Sequence, residues 1–179
     1  PFRSFAIDYF QQAHGLGREA AGLLSSLLPM AAIVATPLFG LWADRSGKRA
    51  LFMLVGTAVL LPLFLAATYL PPGPLVGLPF TGVAVPVTLL AVMLALGVVF
   101  SLIPAVMWPA VAYLVEERRL GSAYSLMTFC QQIGWAVVPL AIGALNDGFQ
   151  AGPQNTAGYA PGMWFYTALA AVGLWFAWR

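Results

Sequence analysis

Residues 50–115 contain no Asp, Glu, Lys or Arg, and neither do residues 120–146 or 148–178. These runs constrain the fold more than any motif does. A water-facing surface built from them would be one continuous apolar patch, and such patches drive association. Charged residues make up 8% of the chain and hydrophobic residues 61%, against about 25% charged in ordinary globular domains. Lipid is the solvent this composition suits. A spanning helix needs about 20 mostly apolar residues to cross a hydrocarbon layer of about 30 Å. Five segments meet that need, 20–43, 50–70, 84–115, 120–146 and 160–179, and residues 1–12 read as the end of an earlier helix. All must be helical, because hydrocarbon offers no partner for an open backbone group. The ten-residue alternation of a spanning β-barrel is absent. The expected fold class is an all-α membrane protein with about five complete transmembrane helices.

The connections set the orientation. "PPGPLVGLPFTG" (71–82) and "DGFQAGPQNTAGYAPG" (147–162) are rich in turn formers and hold no Lys or Arg. The other connections are short and basic: Arg45, Lys48 and Arg49 in one, Arg118 and Arg119 in the next, and Arg179 at the end. Helices that alternate in direction gather these six of the eight basic residues on one side, which the positive-inside rule makes cytoplasmic. Arg18, beside Glu19, is the exception, and Arg3 lies within the partial first helix. Trp42, Tyr159, Trp164, Trp175 and Trp178 fall near helix ends, as an interfacial aromatic belt would. The membrane is either a bacterial inner membrane or a plasma or organelle membrane. The chain opens on Pro1 without an initiating Met or a signal peptide, so it is expected to start inside a longer protein.

Several functions are excluded. A net charge of +2 without a basic-aromatic patch gives nucleic acid nothing to bind. One cysteine, Cys130, allows no internal disulfide. One His, one Cys and no acid in any complete span leave no convergent set for catalysis, a metal or a cofactor. No enzyme activity is expected.

Polar residues inside the spans point to a pathway, because they are costly in lipid. Tyr124, Thr128, Gln131 and Trp135 fall on one helical stripe, with Gln132 at its edge, and Gly97, Ser101, Pro104 and Trp108 repeat the spacing on the preceding span. A cavity between these two helices would offer the amides of Gln131 and Gln132, the hydroxyls of Thr128 and Ser101, and the indole of Trp108. Helix packing is the competing role for each, and a lone serine such as Ser101 can also bond to its own helix. Tyr124, close to the Arg118–Arg119 turn, reads as an inner gate or interfacial residue. Pro104 and Pro109 bracket Trp108 and are expected to kink the helix there. Pro29, Pro37, Pro62, Pro86 and Pro139 also interrupt spans. His14, the only histidine, falls in the segment "QQAHGLGRE". It is either an ordinary loop histidine or a proton-coupling group.

"GLWADRSGKR" (40–49) concentrates charge in a chain short of it. Gly40 permits close helix approach, and Gly47 permits the positive φ of a tight turn. Arg45, Lys48 and Arg49 suit the inner headgroup layer. Asp44, at a helix C-terminus, is repelled by its own dipole. It would fare better facing another helix's N-terminus or pairing with Arg45. A plain solvated turn is the other reading of the whole stretch.

These ten residues resemble the loop signature of the major facilitator superfamily, found after the second helix and repeated after the eighth. Trp108-Pro109, Val111-Ala112, Leu120-Gly121, Ala123-Tyr124, Met127, Gln131, Gly134, Gly143 and Asp147 are similar to helices ten and eleven of a branch that carries short peptides. The resemblance implies the C-terminal six-helix half of a twelve-helix fold. Residues 1–12 then end helix seven, and 20–43, 50–70, 84–115, 120–146 and 160–179 are helices eight to twelve. It further implies secondary active transport by alternating access of a short peptide or other small polar organic solute. The mode is uniport or symport, protons are the candidate coupling ion, and the partners are the lipid bilayer and the N-terminal half of the same transporter. Gly40, Asp44, Arg45, Gly47, Lys48 and Arg49 become a conformational latch between halves. A non-transporting scaffold or partner subunit is the alternative.

The orientation is open to direct measurement. In a chain with Cys130 replaced by Ala, Lys48→Cys and Arg118→Cys are expected to label from the cytoplasmic side and Asn155→Cys from the other. Labelling of 48 and 118 from opposite sides would overturn the topology.

Overall fold

A computed structural model describes residues 2–78 and 82–178, apart from the side chains of Arg3 and Ser4. Arg179, expected among the inner cationic residues, and positions 79–81 of the 71–82 loop lie outside the described residues. So does the side chain of Arg3.

The described chain forms α1 (Phe2–His14), α2 (Arg18–Ser46), α3 (Arg49–Tyr69), α4 (Val87–Leu114), α5 (Leu120–Gly148) and α6 (Ala160–Trp178). A short antiparallel hairpin, β1 (Leu75–Gly77) with β2 (Ala84–Pro86), joins α3 to α4, with Val76 opposite Val85. Single 3₁₀ turns, Glu117–Arg119 and Thr156–Tyr159, precede α5 and α6. Five of these helical segments, all but α1, are long and apolar enough to cross a membrane.

Several helix boundaries differ from the sequence expectation, and two of them have a clear local reason. The third span starts at Val87 rather than at residue 84, because Val85 precedes a proline and is held extended. Pro86, expected to interrupt a helix, instead caps α4, and the Val87 N–H donates to the Pro74 carbonyl at 3.0 Å. His14 is not in a loop but is the last residue of α1, which Gly15 ends with φ 64°. Its ring meets Tyr9 edge-on at 5.1 Å between centroids.

The helix ends gather in two sets, as alternating directions require. At one end the C-terminus of α2, the start of α3 and the C-terminus of α4 meet through Asp44, Arg49 and Tyr113. At the other, the Tyr9 hydroxyl of α1 donates to the Ala67 carbonyl of α3 at 3.2 Å. The Trp164 indole N–H of α6 donates to the Tyr69 hydroxyl of α3 at 2.7 Å. An aromatic cluster fills the space between α1, α3 and α6: Phe5 stacks on Tyr9 at 5.9 Å, Phe64 on Tyr166 at 5.8 Å, and Phe2 meets both Phe64 and Tyr166 edge-on. Such pairs add about 0.5–1.5 kcal/mol each beyond area burial. Tyr159, expected in the interfacial belt, belongs to this core. The 3₁₀ turn before α6 tucks it against Phe5 and Tyr9, 4% exposed.

α4 is the central helix, burying Leu89, Val92, Met93, Leu96 and Val106. It touches α2 most closely at Gly97, where a Cβ would stand 2.5 Å from the Leu28 carbonyl oxygen and 2.9 Å from the Ala31 Cβ. Association of helices in lipid rests on such close backbone approach, since lipid tails are as apolar as the side chains they would release. Gly97→Ala is therefore expected to push α2 from α4 and cost about 1–3 kcal/mol. The check is a lowered melting temperature of the full-length protein in detergent. An unchanged melt would show that the seam tolerates a methyl group.

Candidate functional site

The signature stretch builds its geometry from one glycine. Gly47 takes φ 66°, its N–H donates to the Ala43 carbonyl at 3.0 Å, and the chain turns directly into α3. That turn carries Arg49 back toward the end of α2, where its guanidinium donates to the Asp44 carboxylate at 2.6 Å. The same guanidinium lies 4.1 Å from the centre of the Tyr113 ring near the end of α4. Asp44 thus pairs with Arg49 rather than with Arg45, and one cation ties three helix ends. Arg45 and Lys48 are exposed. Gly40 makes no close helix approach within the described residues, since a Cβ there would meet nothing within 4 Å. Gly97 and Gly56 take that role, the latter with Leu102 Cδ2 2.8 Å from its ideal Cβ position.

The proposed pathway stripes separate. Ser101 is 1% exposed and donates to the Val98 carbonyl of its own helix at 2.7 Å. It is therefore a packing residue and leaves the candidate site. Trp108 is half-buried and engaged by Tyr124: the rings stack at 5.7 Å and 15°, and the Tyr124 hydroxyl donates to the Trp108 carbonyl at 3.2 Å. α4 continues unbroken through Pro104 and Pro109 around it. Gln131 and Gln132 lie about two turns, ~10–12 Å, beyond Tyr124 along α5. Thr128, Gln131, Gln132 and Trp135 are exposed along the middle of α5, whose only buried residue is Ile142. α5 meets α4 through Tyr124, and Ile142 closes against α1 and α6. Between those two anchorages its polar flank is open.

A second polar locus was not apparent from sequence. α1, α5 and α6 border an open recess of about 200 Å³ whose lining includes Phe5, Asp8, Ile142, Asn146 and Tyr166, with Asp8 exposed. Beside it, Asn146 Oδ1 and the Tyr166 hydroxyl are buried without a hydrogen-bond partner among the described residues. Asp8 is a single acid within "FAIDYF", a signal that was present but fell on a segment read only as a helix tail. No group of three or more His, Cys, Asp or Glu placed to hold a metal occurs among the described residues.

The sequence model of the Major Facilitator Superfamily matches residues 4–179. The chain belongs to the major facilitator superfamily. Within it, the chain is similar to the lysosomal dipeptide transporter MFSD1 of Homo sapiens, 26% identical over 147 residues, and to those of Mus musculus and Gallus gallus, each 28% identical over 149 residues. Each alignment covers 82% of this chain but 28–30% of the relative, so the chain spans less than a third of the length of the relatives it matches. No solved structure matches it. Superfamily membership and the five long apolar helices together make this an integral, multi-pass membrane protein related to transporters of small solutes.

The contact between α4 and α5 is accessible to mutation. Tyr124→Phe keeps the stacked ring and removes the bond to the Trp108 carbonyl, so a loss of about 0.5–1.5 kcal/mol is expected. Tyr124→Ala is expected to lose more, because the ring contact goes too. The readout is chemical denaturation in micelles, with equal effects of the two variants arguing against the stacked arrangement.

Proposed function

We propose that this chain is the carboxyl half of a twelve-helix secondary carrier, with α1 the end of helix seven and α2 to α6 helices eight to twelve. It works by alternating access, its two halves rocking about a site near the bilayer midplane. The cargo is a small polar organic solute, with short peptides the leading class. Support for the cargo class comes from the names of the relatives, which are dipeptide transporters.

The observation that carries the reading is the open flank of α5. Thr128, Gln131 and Gln132 are exposed in the middle of a membrane helix, where lipid would penalise groups that bond to nothing. They suit instead a facing half and a water-filled path between the halves. Neutral amides and a hydroxyl can bond to the peptide group of a solute without demanding a charge from it. Trp108 and Tyr124, stacked nearer the cytoplasmic end, serve as an inner gate. The Asp44–Arg49 pair, with Gly40, Arg45, Gly47 and Lys48 around it, serves as a latch whose ionic partner exchanges as the halves move. Protons are the coupling ion in this reading, and His14 is the imidazole available to carry one.

The test is uptake of a radiolabelled dipeptide into proteoliposomes holding the full-length protein, with and without an imposed pH gradient. Gln131→Leu and Gln132→Leu are each expected to lower kcat/KM about tenfold, the worth of roughly one good hydrogen bond. Asp44→Asn is expected to shift the balance of inward- and outward-open forms while leaving the solute's affinity for a given form unchanged. Folded, correctly oriented protein that moves no solute would favour the scaffold reading.

A further inference from the structure

Three observations meet on α3 at the basic end of the bundle. The first is a pair of apolar grooves. One, about 320 Å³ in volume, runs between α2, α3 and α4, with Phe39, Trp42, Phe52, Gly56, Val59 and Leu102 in its lining. The other is shallower, runs between α3 and α6, and is lined in part by Ala58, Leu174, Trp175 and Trp178. Leu51 and Val55 line both, so they form a ridge with a groove on either side. Apart from the indole N–H of tryptophan, no side chain lining either groove carries a polar atom. The second observation is depth. From Leu51 to Val59 the first groove follows α3 for ~12 Å, which fits within one leaflet, half of a hydrocarbon layer of about 30 Å. The third is charge. Lys48 stands three, four and seven residues before Leu51, Phe52 and Val55, so it heads the stripe that forms the ridge. On α2, Arg45 follows Trp42 by three. Both cations are exposed, and among the described residues neither forms an ion pair. Of the three acids at this end, Asp44 is held by Arg49 and Glu116 by Arg118, while Glu117 lies in the 3₁₀ turn before α5.

We propose that an anionic phospholipid seats on this face, its phosphate between Lys48 and Arg45 and its two acyl chains in the grooves on either side of the Leu51–Val55 ridge. The charge fits. Two cations that nothing else in the described chain neutralises stand at the mouth of an apolar groove, and basic side chains at the membrane surface attract anionic headgroups. Each has a long apolar stem that lies along the helix while the charge reaches the headgroup layer. The shape fits as well. A concave apolar wall touches a hydrocarbon chain on several sides, and each added contact contributes dispersion energy. A single ridge with a groove on each flank matches a molecule with two chains joined at one headgroup. Trp42 and Trp178, 60% and 79% exposed, stand near the mouths of the two grooves, where amphipathic rings favour the headgroup level. Another part of the full-length chain is a poorer match. α3 packs chiefly on α4 and α6, and the polar residues left open along the bundle lie on α5 instead. The lipid site is independent of what the protein carries.

The experiment places the full-length protein in phosphatidylcholine vesicles and reads quenching of tryptophan fluorescence as lipid brominated along its acyl chains replaces the host lipid. Brominated phosphatidylglycerol is expected to reach half-maximal quenching at about a fivefold lower mole fraction than brominated phosphatidylcholine. Trp42→Phe is expected to remove part of that high-affinity quenching, which locates the lipid at the first groove. Arg45→Gln and Lys48→Gln are each expected to weaken the preference several-fold and together to abolish it, whereas Lys48→Arg keeps it. Both cations are exposed and unpaired, so these variants keep the fold. Val59→Phe fills the inner end of the first groove and is expected to weaken binding several-fold with the cations intact. Equal half-saturation by the two lipids would overturn the proposal, as would full preference in the double glutamine variant or full affinity in Val59→Phe. High-affinity quenching indifferent to Trp42→Phe would put the lipid elsewhere and sink the site. Glycerol-3-phosphate reversing the quenching would make the ligand a free phosphate ester rather than a lipid. No high-affinity quenching at all would assign the grooves to another part of the full-length chain.

Discussion

Hydrocarbon accepts no unpaired peptide group, and the rest of this structure follows from that rule. The spans must be helices, so their backbones are spent on their own ladders and only side chains remain to hold them together. Because lipid competes equally for apolar side chains, close approach decides which helices touch. Gly97 lets α4 meet the backbone of α2, and Gly56 lets α3 accept Leu102. Irregular backbone is confined to the ends: the hairpin of β1 and β2, the 3₁₀ turns before α5 and α6, and the left-handed glycines at 15 and 47.

The two ends of the bundle are built from different materials. At one end, aromatic rings from α1, α3 and α6 interlock, and buried hydroxyl-to-carbonyl bonding ties Tyr9 to Ala67. At the other, a single guanidinium links the tips of α2, α3 and α4 through Asp44 and the Tyr113 ring. The first arrangement is dry and does not depend on ionic strength. The second is partly exposed, with 56% of the Asp44 side chain accessible, and is screened by salt.

The spans were legible in the sequence because charge-free runs of such length have only one solvent. The pairings were not, and the failures are specific. Asp44 and Arg45 are adjacent in sequence, yet neighbouring positions on a helix do not face each other, while the turn at Gly47 swings Arg49 into reach. Tyr159 stands at a helix end by position, and only the 3₁₀ turn shows that it faces inward. The stripe of Gly97, Ser101, Pro104 and Trp108 has correct periodicity, but periodicity cannot say which neighbour it meets. Ser101 meets its own helix, and Trp108 meets Tyr124. Asp8, Asn146 and Tyr166 come from three helices, and no spacing within one helix encodes the relative height of another.

The bare middle of α5 has a consequence for how this lineage can change. Its residues from Thr128 to Trp135 add nothing to the dry interior of the described bundle, so replacing them leaves that core untouched. In the carrier proposed above, cargo preference and foldability would rest on different side chains. Single substitutions at those positions would then change selectivity without the loss of abundance that usually accompanies a mutation in a membrane helix.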